Sequence, residues 1–428
     1  MVKKLVSISI VAGAGILGAC FGDGPKPSAP AKATILVSGI PVENCNTGSY
    51  IGPVAIGSSG SGFVTMLPYN QDGGPNNCGG GGNNVPTTPI EVFAFDRDNG
   101  TQTDVGPAGQ AQNGFHDRLT VTPSGVAWAY DDTGMMGTSA VVNPGHVPVG
   151  SGGMGFDAPL GIVSVDSDIW VELAQSSSSS GRVEPDNPEY PCCGPVNGQP
   201  TGSIWHVGPA ATSQFVTAVN PMCDTATRCF VADPPESPSD PIKLAYFESQ
   251  NMTGGNSWQV SVLTLATPMM PSGGPHVLPS PSGGGEVPVG LAAFQNTIAW
   301  TTSLACENTP CSVSDCNVYT YDLTTTNTAP NTLLSTHRFG CMDARIADGY
   351  VYFAIVAYDS NTEHMHGIGI GRVSIADHTF ESLDLGIQGD AAGPRRVLPS
   401  GDRLYLVDPL VMARIEAAEL SGKHDFAL

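Results

Sequence analysis

Apolar positions along the chain recur with the period of a strand, and helical periodicity is nearly absent. One pattern returns seven times: a short strand, a tight polar turn, a strand carrying an aromatic residue, then a further strand. The aromatic-bearing strands are expected at 62–68 (GFVTMLP), 125–131 (GVAWAYD), 168–174 (DIWVELA), 243–249 (KLAYFES), 296–302 (NTIAWTT), 350–356 (YVYFAIV) and 402–408 (DRLYLVD). The anchors Trp300, Tyr352 and Tyr405 fall 52 and 53 residues apart. Before each stands a strand ending in Gly, Asp or Asn, which supply the positive φ of a tight hairpin. Third strands follow at 90–96, 139–144, 202–208, 258–265, 317–323, 369–375 and 412–418.

This unit of strand, turn, strand, loop, strand, turn, strand resembles the blade of a β-propeller. The resemblance implies an all-β fold of about seven four-stranded antiparallel blades over residues 34–428. A single four-stranded sheet cannot bury both faces, whereas seven packed around an axis do so without open ends. The last copy is one strand short, and the segment 33–40 (ATILVSGI) is expected to supply it and close the ring. A pair of β-sandwiches is the rival architecture. The resemblance concerns architecture only: no WD dipeptide, Kelch double glycine in register or Asp box identifies a propeller family.

Composition fits a turn-rich folded chain. Charged residues make up 13%, well below the usual quarter, and 53 glycines and 36 prolines are about a fifth of 428 residues. The net charge of −22 argues against nucleic acid and anionic headgroups as partners. Two repeat spacings are stretched by Gly-, Ser- and Pro-rich segments at 71–89, 176–200 and 221–241, read as rim loops and interblade links.

The chain opens with Lys3 and Lys4, then an apolar stretch from Leu5 to about Gly18, too short for a comfortable membrane span. It ends in Leu17-Gly18-Ala19-Cys20, which resembles the bacterial lipobox. That resemblance implies a lipoprotein signal peptide over 1–19 and lipidation (palmitate among the acyl groups) of Cys20. Residues 20–33, rich in Gly, Pro, Ala and Ser, then form a tether. Phe21, where an Asp would resemble an inner-membrane retention signal, points to the outer membrane, at its periplasmic face or the cell surface. The lipid holds the chain beside the membrane.

Apart from Cys20, ten cysteines remain in an exported chain, an even number that reads as disulfides. The expected pairs are Cys45–Cys78 and Cys223–Cys229, with two more among Cys306, Cys311, Cys316 and Cys341. The adjacent Cys192 and Cys193 are candidates for a vicinal disulfide. His364 and His366, in a loop before a third strand, are the candidate ligands for a divalent metal, against a solvated loop as the favoured alternative. No cofactor is otherwise expected. Asp96, Asp98 and Asp104 resemble a fragment of a calcium loop, but DRDNG also suits a hairpin turn, the favoured reading. The five tryptophans, Trp128, Trp170, Trp205, Trp258 and Trp300, fall in strands and read as core.

No G-x-S-x-G, H-E-x-x-H, C-x-x-C-H or P-loop motif is found. The expected function is a lipid-anchored, non-catalytic binding or scaffold module for an envelope protein, peptide or glycan. The alternative is an envelope hydrolase or lyase acting on polysaccharide or peptide at the central funnel, for which the scattered histidines show no acid–base pair.

Overall fold

The computed structural model describes residues 33–38, 48–57, 61–69, 90–109, 119–132, 138–142, 145–150, 156–176, 202–222, 228–237, 240–249, 258–279, 286–304, 315–359, 364–385, 396–407 and 411–420. Strand β1 (Thr34–Ser38) comes first. Blade one is β2 (Gly48–Ile56), β3 (Ser61–Tyr69), β4 (Ile90–Asp96) and β5 (Gln102–Gly109). Blade two is β6 (Leu119–Thr122), β7 (Gly125–Asp132), β8 (Thr138–Val142) and β9 (Val147–Val149). Blade three is β10 (Phe156–Val165), β11 (Asp168–Ser176), β12 (Gly202–Val207) and β13 (Ser213–Val219). Blade four is β14 (Phe230–Asp233), β15 (Ile242–Ser249) and β16 (Trp258–Thr267), edged by β17 (Met270–Pro271) and β18 (His276–Val277). Blade five is β19 (Glu286–Phe294), β20 (Thr297–Leu304), β21 (Cys316–Asp322) and β22 (Asn331–Thr336). Blade six is β23 (Gly340–Ala347), β24 (Tyr350–Asp359), β25 (His364–Ser374) and β26 (Phe380–Asp384). Blade seven is β27 (Arg396–Ser400), β28 (Arg403–Val407) and β29 (Val411–Glu416), completed by β1.

The protein is therefore a seven-bladed β-propeller, with every expected second and third strand in place. β1 pairs antiparallel with β29, Thr34 opposite Arg414 and Ser38 opposite Val411, so the start of the described chain closes the last blade as expected. A second lock lies beside it. The turn between β4 and β5 reaches across to blade seven, where Arg97 donates to the Tyr405 hydroxyl at 2.7 Å and the Ser400 hydroxyl at 2.8 Å. Asp98 pairs there with Arg403 at 2.5 Å and Arg414 at 3.4 Å.

Second strands sit between neighbouring blades and bury both faces, which is why they read as unbroken apolar runs. From Val351 to Val356 every residue of β24 is buried. Outer strands are more open to solvent; half of the residues of β22 are exposed. Each consecutive pair of blades shares a hydrophobic core, and the largest cluster joins blades three, four and five through Trp170, Phe230, Tyr246, Trp258 and Trp300. Four of the five tryptophans are buried, in line with their reading as core.

The innermost strands carry a device that strand periodicity alone does not reveal. β10 and β19 bulge at equivalent places, after Pro159 and Pro288, and the glycine that follows touches the innermost strand of the next blade. A Cβ on Gly161 would lie 2.8 Å from the Phe230 Cβ, and one on Gly290 would lie 2.2 Å from the Asp343 carbonyl carbon. Pro-x-Gly thus marks where adjacent blades approach closely, against the Phe230 side chain at Gly161 and backbone to backbone at Gly290.

One expectation is corrected. The segment 221–241, read as a loop and linker, contains β14, the innermost strand of blade four. Four residues between Cys229 and Pro234-Pro235 are too short to stand out among turn signals.

Antiparallel pairing also makes the two ends of the ring unlike. First-to-second strand turns are two residues long at 123–124, 166–167, 295–296, 348–349 and 401–402. Gln295 and Asn296 take φ of 47° and 65°, and Asp348 and Gly349 take 50° and 78°, as a primed hairpin requires. The strand ends joined by 70–89, 177–201 and 305–315 lie at the opposite end, together with the links between blades.

Candidate functional site

The seven innermost strands, β2, β6, β10, β14, β19, β23 and β27, all lend residues to one cavity of about 320 Å³ on the propeller axis. Most of its lining residues are aliphatic, but polar atoms make up most of the surface it exposes. The polar side chains lining it, among the described residues, are Arg228, Arg345, Thr120 and Ser164. Ser164 Oγ donates to the Val121 carbonyl at 2.9 Å, so the 2.7 Å contact between the two hydroxyls is a bond donated by Thr120. Both hydroxyl protons are thereby engaged.

Arg345 is fixed from behind. Its Nε meets Asp343 Oδ2 at 3.3 Å, and Asp343 is fully buried. That carboxylate also accepts the Ala344 amide at 2.9 Å and the Val397 amide at 3.2 Å, tying β23 to β27. Asp343 holds φ at 62° in the β23 bulge, and its carbonyl accepts the Thr301 hydroxyl at 2.9 Å. Arg228 enters from the stretch just before β14.

Two polar clusters lie off the axis. Glu172, on β11, is fully buried, and burial followed by the nearby Glu248 carboxylate drives its carboxyl well above the usual range. Glu248 accepts Ser261 Oγ at 2.7 Å and Gln259 Nε2 at 3.0 Å, and burial with these carboxylates raises the Tyr246 hydroxyl. In blade five Glu286 accepts Thr302 Oγ1 at 2.8 Å and Asn317 Nδ2 at 3.2 Å. Burial, then Glu286, pushes Tyr319 up to about 12. A second cavity, also about 320 Å³, opens between blades four and five, walled by Pro234, Pro235 and Pro241. Lys243 donates there to Asn296 Oδ1, and Asn296 Nδ2 to Glu236 at 2.9 Å.

Of the residues singled out in the sequence, Cys316 and Cys341 form a disulfide joining blades five and six. Cys229 is disulfide-bonded, while Cys223 lies outside the described residues. Cys20, Cys45, Cys78, Cys192, Cys193, Cys306 and Cys311 lie outside them too. His364 and His366 belong to the start of β25, opposite Asp359 and Ala357, and not to the loop before it; their side chains lie outside the description. Among the described residues no group of three His, Cys, Asp or Glu is placed to hold a metal. The acidic triplet is dispersed in function: Asp96 caps the turn through the Asp98 and Asn99 amides, Asp98 pairs with arginines, and Asp104 accepts the Gly106 amide. His206 meets Asp168 at 2.7 Å and His337 meets Asp315 at 2.7 Å. Sequence reasoning missed Arg228 and Arg345. Each sits in a segment legible only as a loop or a hairpin, and nothing local marks it as axial.

No protein-family model matches the sequence, and no curated protein matches it. The fold is similar to a puromycin hydrolase variant complexed with PGG, at 10% identity over 89% of this chain and 54% of that one, TM-score 0.52. A second puromycin hydrolase structure gives 10% identity, 86% and 52% coverage and a TM-score of 0.51. The β-propeller domain of the Trilobed protease from Pyrococcus furiosus gives 9%, 88% and 97%, with a TM-score of 0.45. This chain spans about half the length of the puromycin hydrolase chains. At such identities the likeness to the puromycin hydrolase structures concerns the fold alone, and the class, a seven-bladed propeller, is set by this chain's own sheets.

Proposed function

We propose that this chain is a bacterial lipoprotein, anchored through Cys20 to the outer membrane, whose propeller binds an envelope protein, peptide or glycan without turning it over. The observation that carries the reading is the asymmetry of the ring. Two-residue turns crowd one end, while the strand ends that open into the long 70–89, 177–201 and 305–315 connections gather at the other. Loops held on a rigid scaffold are where binding surfaces reside. The axial cavity, to which every blade contributes and which Arg228 and Arg345 help to line, is a second concave surface on the scaffold.

Crosslinking and pull-down from native envelopes, with a C-terminal tag and Cys20 intact, test both parts. A stoichiometric partner that disappears when 176–200 is deleted supports the binding role; turnover of glycans or peptides by the purified chain overturns it. Cys20→Ser is expected to abolish acyl labelling and release the chain from membranes. Retention of both overturns the anchor.

A further inference from the structure

We propose that the propeller stands on its lipid by the turn end, so that the loop end, with its long connections, faces away from the membrane and meets its partner there. The inference rests on the anchored-binder reading above and assigns each end of the ring its neighbour. It follows from the direction of β1. Thr34 lies opposite Arg414 and Ser38 opposite Val411, so β1 runs antiparallel to β29. β29 in turn places Glu416 opposite Arg403, the first residue after the 401–402 turn, and Met412 opposite Val407, the last described residue before the next connection. Thr34 is therefore at the turn end and Ser38 toward the loop end. The chain enters the ring from the turn end, at the outer edge of blade seven, beside the 96–100 turn, whose Gly100 lies against the Leu36 backbone.

The length of chain between lipid and ring limits the geometry. Cys20 is fourteen residues before Thr34. A segment of that length and composition reaches about 50 Å at full extension and about 20 Å as a coil. A membrane at the turn end is within the coil's ordinary reach. A membrane at the loop end would require the same segment to run the depth of a blade as well, about 20 Å over the six residues of β22. The charges of the turn end set how it stands. Asp166, Glu236, Asp348, Asp377 and Asp402 are exposed there, from blades three, four, six and seven. The arginines beside the point of entry, Arg403 and Arg414, pair with Asp98. Carboxylates repel anionic headgroups within a Debye length, about 8 Å in physiological salt. The face is therefore held off the bilayer on its tether and not laid on it, and the loops meet components on the far side.

The acylated full chain in vesicles of phosphatidylethanolamine and phosphatidylglycerol tests this, with an energy acceptor on a fraction of the headgroups. A donor dye is attached through an azide-bearing residue placed at Ala376, exposed in the turn between β25 and β26, or at His337, exposed in the link after β22 at the loop end. Both positions adjoin blade six, so they differ chiefly in height. Energy transfer from position 376 is expected to exceed that from position 337. A Gly-Ser insert that lengthens the tether about fourfold doubles its coil reach to about 40 Å and is expected to lower transfer from position 376 and narrow the difference. Where a dye at Ala376 disturbs folding, Ser167, exposed in the turn between β10 and β11, takes its place. Equal transfer from the two ends, or more from position 337, overturns the proposal. So does a difference unmoved by the longer tether, since the face would then hold the bilayer by contacts of its own. A chain that carries no acyl group and leaves the vesicles overturns the anchored reading and this inference with it; an acylated chain that fails the comparison overturns this inference alone.

Discussion

Gly290→Ala tests the idea that blades five and six are set by backbone contact at the β19 bulge. The added methyl would lie 2.2 Å from the Asp343 carbonyl carbon, 2.4 Å from the Ala344 nitrogen and 2.6 Å from the Asp343 oxygen. Ordinary carbon contacts begin near 3.5 Å, so β19 and β23 must part by roughly 1 Å. Every obstructing atom is backbone, so no rotamer change relieves the clash. The Asp343 carbonyl is also tied to Thr301 and its carboxylate to β27, so the movement disturbs blades five, six and seven. Overpacking of this kind costs about 3 kcal/mol, the upper part of the usual range. Reduced freedom of the unfolded chain returns about 0.4–1 kcal/mol. The expected net loss is about 2–3 kcal/mol, read as a lower urea midpoint with unchanged slope by tryptophan fluorescence. Gly273→Ala is the control, since its methyl meets nothing within 4 Å. Equal midpoints for the two variants would refute the argument.

The buried Glu172 gives a pH-dependent prediction. Its folded pKa stands above the unfolded 4.5, so its stability is fully present below pH 4.5. It falls by about 1.4 kcal/mol per pH unit until the folded pKa is passed. Glu172→Gln should remove that slope, raising stability over the parent at pH 8 relative to pH 4, and urea midpoints at both pH values check it. Replacing Cys316 and Cys341 together by alanine opens a loop of separation 25 and should cost about 3.5 kcal/mol. Calorimetry of the double variant, and its loss of sensitivity to reductant at this bridge, measure it. Arg97→Ala removes hydrogen bonds to Tyr405 and Ser400 across the ring closure and should cost about 1–3 kcal/mol. Native-state hydrogen exchange should quicken first in β1 and β29. Uniform exchange across the blades would count against a local closure.

The repeat was legible because each blade obeys local rules. Buried second strands read as apolar runs around Trp170, Trp300 and Tyr352, and turns such as Gln295-Asn296 and Asp348-Gly349 announce themselves by residues that tolerate positive φ. Even closure of the ring by 34–38 followed from counting strands. What hid was whatever depends on neighbours far along the chain. β14 is four residues long, and its identity as an inner strand comes from pairing with β15, not from its own pattern. Arg228 and Arg345 are 117 positions apart in sequence and share a cavity only because the ring brings one strand per blade to the axis. Asp98, which reads locally as turn or calcium chemistry, finds Arg403 and Arg414 from the last blade. Sequence by itself therefore determined strands, turns and the number of blades, since these are settled by periodicity and backbone conformation over a few residues. The contents of the axis, the closeness of the inner backbones and the electrostatic seal between first and last blades were decided by tertiary structure, because closing the ring juxtaposes residues with no local relation.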